Sequence, residues 1–145
     1  MQFLDTNVLL YSVSADAKEA EKAAIAADLL QLPDLAISIQ VLQEFFVQVT
    51  RSTRLHRLPH EVAHAFVESW LRFPVQEMTV EILVAALKSS QRYKISYWDA
   101  AIIESARKLE CNEVLSEDLN DGQNYGGVRV VNPFRHSNGK KRRPH

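Results

Sequence analysis

The chain opens with a short apolar run that ends on three polar residues. Residues 2–4 are followed by Asp5, Thr6 and Asn7, and a second apolar run begins at Val8. A continuous short apolar run indicates a strand that is buried on both faces, as in a parallel sheet. Ligands of open α/β sheets bind just beyond the carboxyl ends of such strands, so we predict that Asp5 lies at the floor of a site. The alternative interpretation of Asp5, taken alone, is a helix N-cap.

Strand-like and helix-like segments alternate along most of the chain. Short apolar runs indicate strands at 35–37, 114–116 and 128–131 and a linker or edge strand at 73–75, and helical periodicity indicates helices over 17–32 and 39–53 and after Pro59, Thr79 and Ser96. This alternation predicts an α/β fold with a parallel sheet and helices on both of its faces.

Length, charge and cysteine content limit the class of protein. With 145 residues and one cysteine, Cys111, the chain is predicted to be one domain without an internal disulfide, which suits the cytoplasm. It has neither a secretory leader pattern nor 18 consecutive apolar residues, so we expect no membrane span. Residues 1–134 carry 12 basic and 18 acidic side chains, a net charge of −6, and residues 135–145 carry +5. We therefore predict a domain over 1–134 and a disordered basic tail over 135–145.

Three further acidic residues are placed where they can join Asp5. Glu44 lies between apolar pairs of a predicted helix, Asp99 lies at a helix start, and Asp118 follows a predicted strand as Asp5 does. Clustered carboxylates repel one another unless a cation is present. Oxygen ligands alone favour Mg²⁺, or Mn²⁺, over zinc, and the fitting reaction is hydrolysis of a phosphodiester. The alternatives are a solvated rim glutamate at Glu44 and a helix cap at Asp99.

Four blocks of sequence carry these acids, at 3–9 (FLDTNVL), 41–46 (VLQEFF), 97–102 (YWDAAI) and 116–122 (SEDLNDG). Together the blocks resemble the PIN-domain ribonucleases, particularly the VapC-like toxins of type II toxin–antitoxin pairs. The resemblance covers residues 1–134. It implies a three-layer α/β/α sandwich and magnesium-dependent endonucleolytic cleavage of RNA. It also implies that four acids surround the metal: Asp5, Glu44, Asp99 and Asp118.

The resemblance also implies supporting residues and partners. Thr6 and Asn7 would hold the acids in place, and Asp121 is an alternative or an assistant to Asp118. A disordered segment of a cognate antitoxin would lay an apolar helix on the domain, and we also expect a homodimer. Three aromatic residues are candidates for either the core or these interfaces: Phe46, Phe66 and Trp70. Three basic residues are weaker candidates for contacts to RNA phosphates: Arg51, Arg54 and Arg57.

One motif points to a different enzyme class. His60-Glu61-Val62-Ala63-His64 matches H-E-x-x-H, the pattern of zinc metalloproteases. A protease needs a third zinc ligand, for which Glu81 and Glu104 are the candidates, and the simpler interpretation is the polar edge of an amphipathic helix. A third hypothesis is a catalytically silent domain that binds RNA or protein, although none of the four acids is missing.

Overall fold

The structure, a computed structural model, describes residues 1–135. Its strands are β1 (Gln2–Leu4), β2 (Leu35–Ser38), β3 (Val75–Gln76), β4 (Glu113–Leu115), β5 (Asn124–Tyr125) and β6 (Val128–Val131). Its helices are α1 (Thr6–Ser12), α2 (Ala20–Leu29), α3 (Ile39–Thr50), α4 (His60–Trp70), α5 (Val80–Tyr93) and α6 (Tyr97–Lys108), with a 3₁₀ turn at Ala17–Glu19. Helices thus follow each of the first three strands, as the sequence predicts.

The six strands form one sheet in the order β3-β2-β1-β4-β6-β5. All neighbours are parallel except β5 and β6, which are antiparallel. The chain moves from β1 through β2 to β3 in one direction, then reverses and reaches β4 on the other side of β1. Because such crossovers are right-handed, this reversal places α1–α4 on one face of the sheet and α5–α6 on the other. The predicted α/β sandwich with helices on both faces is confirmed.

The reversal makes the gap between β1 and β4 the point where ligands of open α/β sheets bind. Leu4 of β1 lies beside Leu115 of β4, and the backbone N–H of Asp5 donates to the carbonyl of Leu115 at 3.0 Å. The next residues along both strands, Asp5 and Ser116, therefore leave the sheet side by side. The shared register brings two segments together that are 111 positions apart in the chain.

The helices α1, α3 and α4 share the larger part of the core with the sheet. Phe3, Phe45 and Ile37 are fully buried there, and Trp70 is 3% exposed. The Trp70 ring stacks on Phe66 with centroids 5.6 Å apart and meets Phe45 edge-on at 4.7 Å. Trp70 is thus a core residue rather than an interface residue. Cys111 is also buried, and burial raises the pKa of its thiol, as suits a structural cysteine.

Local signals explain where several elements begin and end. Ser38, Thr79 and Ser96 each accept a backbone N–H three residues ahead, so the predicted caps of α3, α5 and α6 are confirmed. The predicted helix 17–32 is shorter, because Asp16 caps a separate 3₁₀ turn and α2 ends at Leu29. The hairpin strand β5 was not predicted, since only two residues form it and two glycines make its turn.

The described residues end at Arg135, whose guanidinium pairs with Asp121 at 2.7 Å. The expectation of a disordered tail concerns residues that otherwise lie outside the described part of the chain. Within residues 1–135, no helix is long and apolar enough to cross a membrane.

Candidate active site

Asp5 lies at the end of β1 and is also the N-cap of α1. Its Oδ1 accepts the backbone N–H of Thr6 at 2.7 Å, and its Oδ2 accepts the hydroxyl of Ser116 at 2.7 Å. Asp5 is therefore a helix cap and, at the same time, an acid at the carboxyl end of the strand. The cap occupies one oxygen and the serine fixes the other, so the carboxylate is held in one orientation at the edge of the sheet.

Burial governs the protonation of Asp5. The side chain is 7% exposed, and desolvation is the largest cause that raises its pKa from 3.8 to about 6. The bonds from Ser116 and Thr6 favour the charged form and lower the pKa, whereas the charges of Asp118 and Glu44 raise it. Two of the predicted partners are thus close enough to act electrostatically on Asp5.

Ser116 joins Asp5 to the loop that follows β4. Its hydroxyl donates to Asp5 and accepts the backbone N–H of Asp118 at 3.1 Å. The Asn7 amide donates to the same hydroxyl and to Asp118 Oδ2, each at 3.3 Å, and its Oδ1 accepts the N–H of Glu117 at 3.2 Å. Asn7 therefore contacts the Asp118 carboxylate and the loop that carries it, a position from which it can orient that carboxylate.

Glu44 reaches the site from the middle of α3. Its Oε1 accepts the Thr6 hydroxyl at 2.7 Å, and the side chain is half-buried beside Asp5. Thr6 therefore makes two separate contacts: its backbone N–H donates to the N-cap residue Asp5, and its hydroxyl donates to Glu44. This arrangement does not fit a rim glutamate that simply extends into water.

Asp99 lies in the first turn of α6, where its N–H donates to Ser96 Oγ at 3.0 Å. Burial raises the pKa of Asp99, and the charge of Asp118 raises it further, while the hydrogen bond with Ser96 lowers it. Asp118 therefore acts on both Asp5 and Asp99 and links them electrostatically. The structure therefore brings Glu44 and Asp118 close to Asp5 at the carboxyl end of β1 and places Asp99 within electrostatic reach of Asp118.

The donor set fits a hard divalent cation, although the side chains are not arranged as a finished metal centre. Among residues 1–135, no three His, Cys, Asp or Glu side chains are grouped closely enough to hold one ion. Two of the acids have polar partners of their own, since Thr6 donates to Glu44 and Asn7 donates to Asp118. Carboxylates repel one another when no cation lies between them, which favours such separate partners.

The other predicted site residues are more dispersed. Arg51 lines a groove together with Glu44, whereas Arg54 lines a separate cavity beside Val13, and Arg57 is exposed on the loop between α3 and α4. Asp121 accepts the N–H of Asn132 and the Arg135 guanidinium, at 2.8 and 2.7 Å. Asp118, and not Asp121, is among the charges that raise the pKa of Asp5 and of Asp99, so the geometry favours Asp118 over Asp121 as the fourth acid.

The H-E-x-x-H motif forms no metal centre within the described residues. His64 Nε2 lies 3.1 Å from Glu68 Oε1, and the His60 ring packs edge-on against Phe46 at 5.2 Å. Lys108 pairs with Glu81, and Arg107 pairs with Glu104. Both candidate third ligands are therefore engaged elsewhere, and the pair of histidines lies on the exposed edge of an amphipathic helix.

Sequence reasoning assigned no role to Ser116 or Gln40. Ser116 is completely buried and bonds to Asp5, Asn7 and the backbone of its own loop. Gln40 is 5% exposed and donates to the carbonyl of Trp98 at 3.2 Å, which ties α3 to the start of α6. The sequence indicated a site role for Ser116 only through its place at a strand end close to an acid. It gave no indication that Gln40 is buried or that it contacts α6.

Comparisons with known proteins identify the family to which this fold belongs. The family model described as PIN domain matches residues 3–120. A toxin–antitoxin complex from Klebsiella pneumoniae is 21% identical, with a TM-score of 0.66 over 92% of this chain and 98% of that one. VapC20 from Mycobacterium tuberculosis, a sarcin–ricin loop cleaving toxin, is 20% identical, with a TM-score of 0.63 over 81% and 92%.

A third solved structure, FitAcB from Neisseria gonorrhoeae, is 20% identical, with a TM-score of 0.61 over 93% of this chain and 99% of that one. No curated protein matches the chain at a significant level. At these identities the solved structures establish the fold, and the family model covers most of the chain. On this evidence the chain belongs to the PIN-domain family.

Proposed function

We propose that this chain is an endoribonuclease that depends on Mg²⁺ or Mn²⁺ and acts as the toxin of a toxin–antitoxin pair in the cytoplasm. The observation that supports the nuclease assignment is that four carboxylates from four separate elements act on one another beside the carboxyl end of β1, Glu44 and Asp118 on Asp5, and Asp118 on Asp99. One of them, Asp5, is buried with a pKa raised to about 6. A fold gains no stability from a buried charge without a countercharge, so the cluster is best explained by a cation.

The residues divide into ligands and residues that orient them. Asp5, Glu44, Asp99 and Asp118 would hold the ion, which when bound supplies Lewis acidity toward a phosphate oxygen and a water molecule. Ser116 and the Thr6 N–H fix Asp5, while Asn7 aims Asp118. The Thr6 hydroxyl keeps Glu44 at the site until an ion competes for it. Such orienting bonds commonly change metal affinity by about 10–100-fold.

A protein partner is supported by an apolar groove between α3 and α4. The groove has a volume of about 730 Å³, and its apolar lining is Ile39, Leu42, Phe46, Val47, Val67 and Leu71. An amphipathic helix that lays its apolar face in a groove is a common mode of peptide recognition. We assign this groove to the antitoxin because a solved PIN-fold neighbour is described as a toxin–antitoxin complex. Phe46, one of the three aromatic candidates, is part of it.

A homodimer is supported by a second surface, on α5. Its inner face, with Ile82 and Ala86, packs toward α6, and yet its outer face is also apolar. The outer residues recur at helical spacing with exposures of 41–77%: Val80, Leu83, Val84 and Leu87. An exposed apolar stripe of this kind is typical of an interface, and two copies of α5 packed antiparallel would cover each other's stripe.

The nuclease assignment is tested with an end-labelled RNA that contains unpaired segments. We expect cleavage with Mg²⁺ or Mn²⁺ and none with EDTA. Asp99→Asn should abolish cleavage while leaving the far-UV circular dichroism spectrum unchanged, because its N–H cap to Ser96 is preserved. Asp28→Asn, an exposed acid of α2, is the matched control and should cleave normally. Undiminished cleavage by folded Asp99→Asn would contradict the assignment, and a folded wild type without activity would favour the silent domain.

A further inference from the structure

A groove beside the acids has the chemistry of a nucleotide site. It lies between α3 and the first turn of α6 and has a volume of about 410 Å³, within the range of pockets that bind small ligands. Both Glu44, one of the four acids, and Arg51 line it. These residues are seven positions apart along the chain, which corresponds to about 10 Å along a helix axis. The groove therefore has an acid of the proposed metal site and a cation among its lining residues.

Trp98 forms one wall of this groove and is unusually exposed. Its relative exposure is 61%, whereas the other tryptophan, Trp70, is 3% exposed in the core. Trp98 immediately precedes Asp99, and its indole meets the Tyr97 ring edge-on at 5.0 Å. An exposed indole costs stability in water and is favoured where a flat partner can stack on it. The face of Trp98 is thus available beside one of the four acids.

The buried Gln40 lacks one hydrogen bond. Its Nε2 donates to the carbonyl of Trp98 at 3.2 Å, which fixes the amide orientation, because its oxygen cannot bond to a carbonyl. Its Oε1 has no hydrogen-bond partner among the described residues, although it is shielded from solvent. A buried acceptor without a partner is costly, so a donor that enters the groove and slightly displaces its side chains would satisfy it.

We propose that this groove binds an unpaired nucleotide of the RNA next to the scissile phosphate, with its base stacked on Trp98. The proposal rests on the nuclease function and assigns the stacking position to Trp98. Gln43 and Gln48 line the groove and offer amide donors and acceptors to base edges, while Arg51 lies where a flanking phosphate would pass. Bases in a duplex are stacked on each other, so only a single strand or loop can present a base to the indole.

Binding is tested first by tryptophan fluorescence, which does not require cleavage. Asp5→Asn protein, used to prevent hydrolysis, is titrated with an unstructured RNA of about 12 nucleotides, within the usual site size for single strands, and with the same sequence as a duplex. We expect the single strand to quench the fluorescence and the duplex to have little effect. In Asp5→Asn/Trp98→Phe the only tryptophan is the buried Trp70, so the quenching should disappear.

Cleavage kinetics test the role of the indole in the active enzyme. Trp98→Ala should lower kcat/KM on unpaired RNA by about 5–100-fold, mainly through KM, because stacking on an aromatic ring contributes to binding. Trp98→Phe, which retains an aromatic face, should restore most of the activity, whereas Trp98→Leu should not. Leu55→Ala, at a loop residue that is 73% exposed, is the matched control and should cleave normally.

The results separate failure of this proposal from failure of the nuclease assignment. Cleavage of RNA by Trp98→Ala at the wild-type rate would overturn the stacking site and leave the nuclease intact. Quenching in Asp5→Asn, together with no cleavage by the folded wild type in Mg²⁺ or Mn²⁺, would support the site and contradict the nuclease. A wavelength of maximum tryptophan emission that shifts with protein concentration in the absence of RNA, and no longer shifts in Trp98→Phe, would overturn the proposal, because Trp98 would then contact a second copy of the chain.

Discussion

Replacing Asp5 by asparagine tests whether the fold carries a buried charge at the end of β1. The folded pKa of Asp5 is about 6, against 3.8 for an aspartate in water. That difference corresponds to a penalty of about 3 kcal/mol for holding the ionised form at high pH. Asparagine keeps the shape and can still accept the Thr6 N–H. Its amide cannot reproduce the Ser116 bond to a carboxylate, and this loss costs about 1 kcal/mol at any pH.

The pH dependence follows from the direction of the shift. A group whose folded pKa is raised contributes stability below its unfolded pKa, and that contribution is lost as the pH rises through the folded pKa. With the values of 3.8 and about 6, the loss is about 2 kcal/mol at pH 5 and about 3 kcal/mol at pH 8. The substituted asparagine does not titrate. The mutant should therefore gain about 1 kcal/mol on wild type between pH 5 and pH 8.

Thermal melts in EDTA at the two pH values measure this effect. A change of about 1 kcal/mol corresponds to about 2–4 °C in a domain of this size. When the free energy lost with the Ser116 hydrogen bond is subtracted from the gain, Asp5→Asn should have a clearly higher melting temperature than wild type at pH 8 and a similar one at pH 5. Asp28→Asn removes an exposed acid and is the matched control, which should show no such pH-dependent gain. A mutant effect of equal size at both pH values would refute the reasoning.

The same melts with Mg²⁺ separate a buried acid from a metal ligand. Magnesium should stabilise wild type by RT ln(1 + [Mg²⁺]/Kd), about 1.4 kcal/mol for each tenfold increase beyond Kd. Asp5→Asn should lose most of this response, because it lacks one ligand. If the mutant retains the full increase in melting temperature with Mg²⁺, Asp5 is not a metal ligand. That result would not contradict the burial of Asp5.

Two further substitutions test the surroundings of the site. Thr6→Val removes the hydroxyl that holds Glu44 but keeps the backbone N–H that bonds to Asp5. We therefore expect the rate of RNA cleavage at low Mg²⁺ to fall by about 10-fold and to recover at high Mg²⁺. An unchanged Mg²⁺ dependence of the cleavage rate would contradict this role of Thr6. Replacing His60 and His64 by Ala should leave RNA cleavage within a few-fold, and elemental analysis should find no stoichiometric zinc in the wild type; one zinc per chain that the double mutant loses would revive the protease.

The architecture was largely predictable because each segment carries its own local signal. Ser38, Thr79 and Ser96 lie where helices begin, and apolar periodicity marks the faces of α3 and α6 that are buried. The continuous apolar runs of β1 and β4 indicate central parallel strands. The short hairpin strand β5 was missed, since two residues give no periodicity and its pairing depends on a turn.

The identity of the four acids was accessible from sequence, but their interactions were not. Bonds such as those of Ser116 to Asp5 and of Thr6 to Glu44 join residues 111 and 38 positions apart. These bonds follow from the strand register and from the way α3 packs on the sheet. The hydrophobic periodicity of the sequence predicts neither. The exposure of Trp98 and the burial of Trp70 depend in the same way on packing, because both residues lie in helices and only the tertiary structure decides which of them is covered.

The cause of the raised pKa of Asp5 changes how the site should be understood. The sequence argument attributes it to mutual repulsion of the acids, whereas burial is its largest cause and the charges of Asp118 and Glu44 are smaller ones. The free-energy cost of ionisation therefore falls mainly on Asp5, the acid enclosed by β1, α1 and the loop after β4. Asp118, being exposed, can be reoriented at little cost by a ligand. A rigid buried acid beside a movable exposed one suits a site that is completed only when a cation and its substrate arrive.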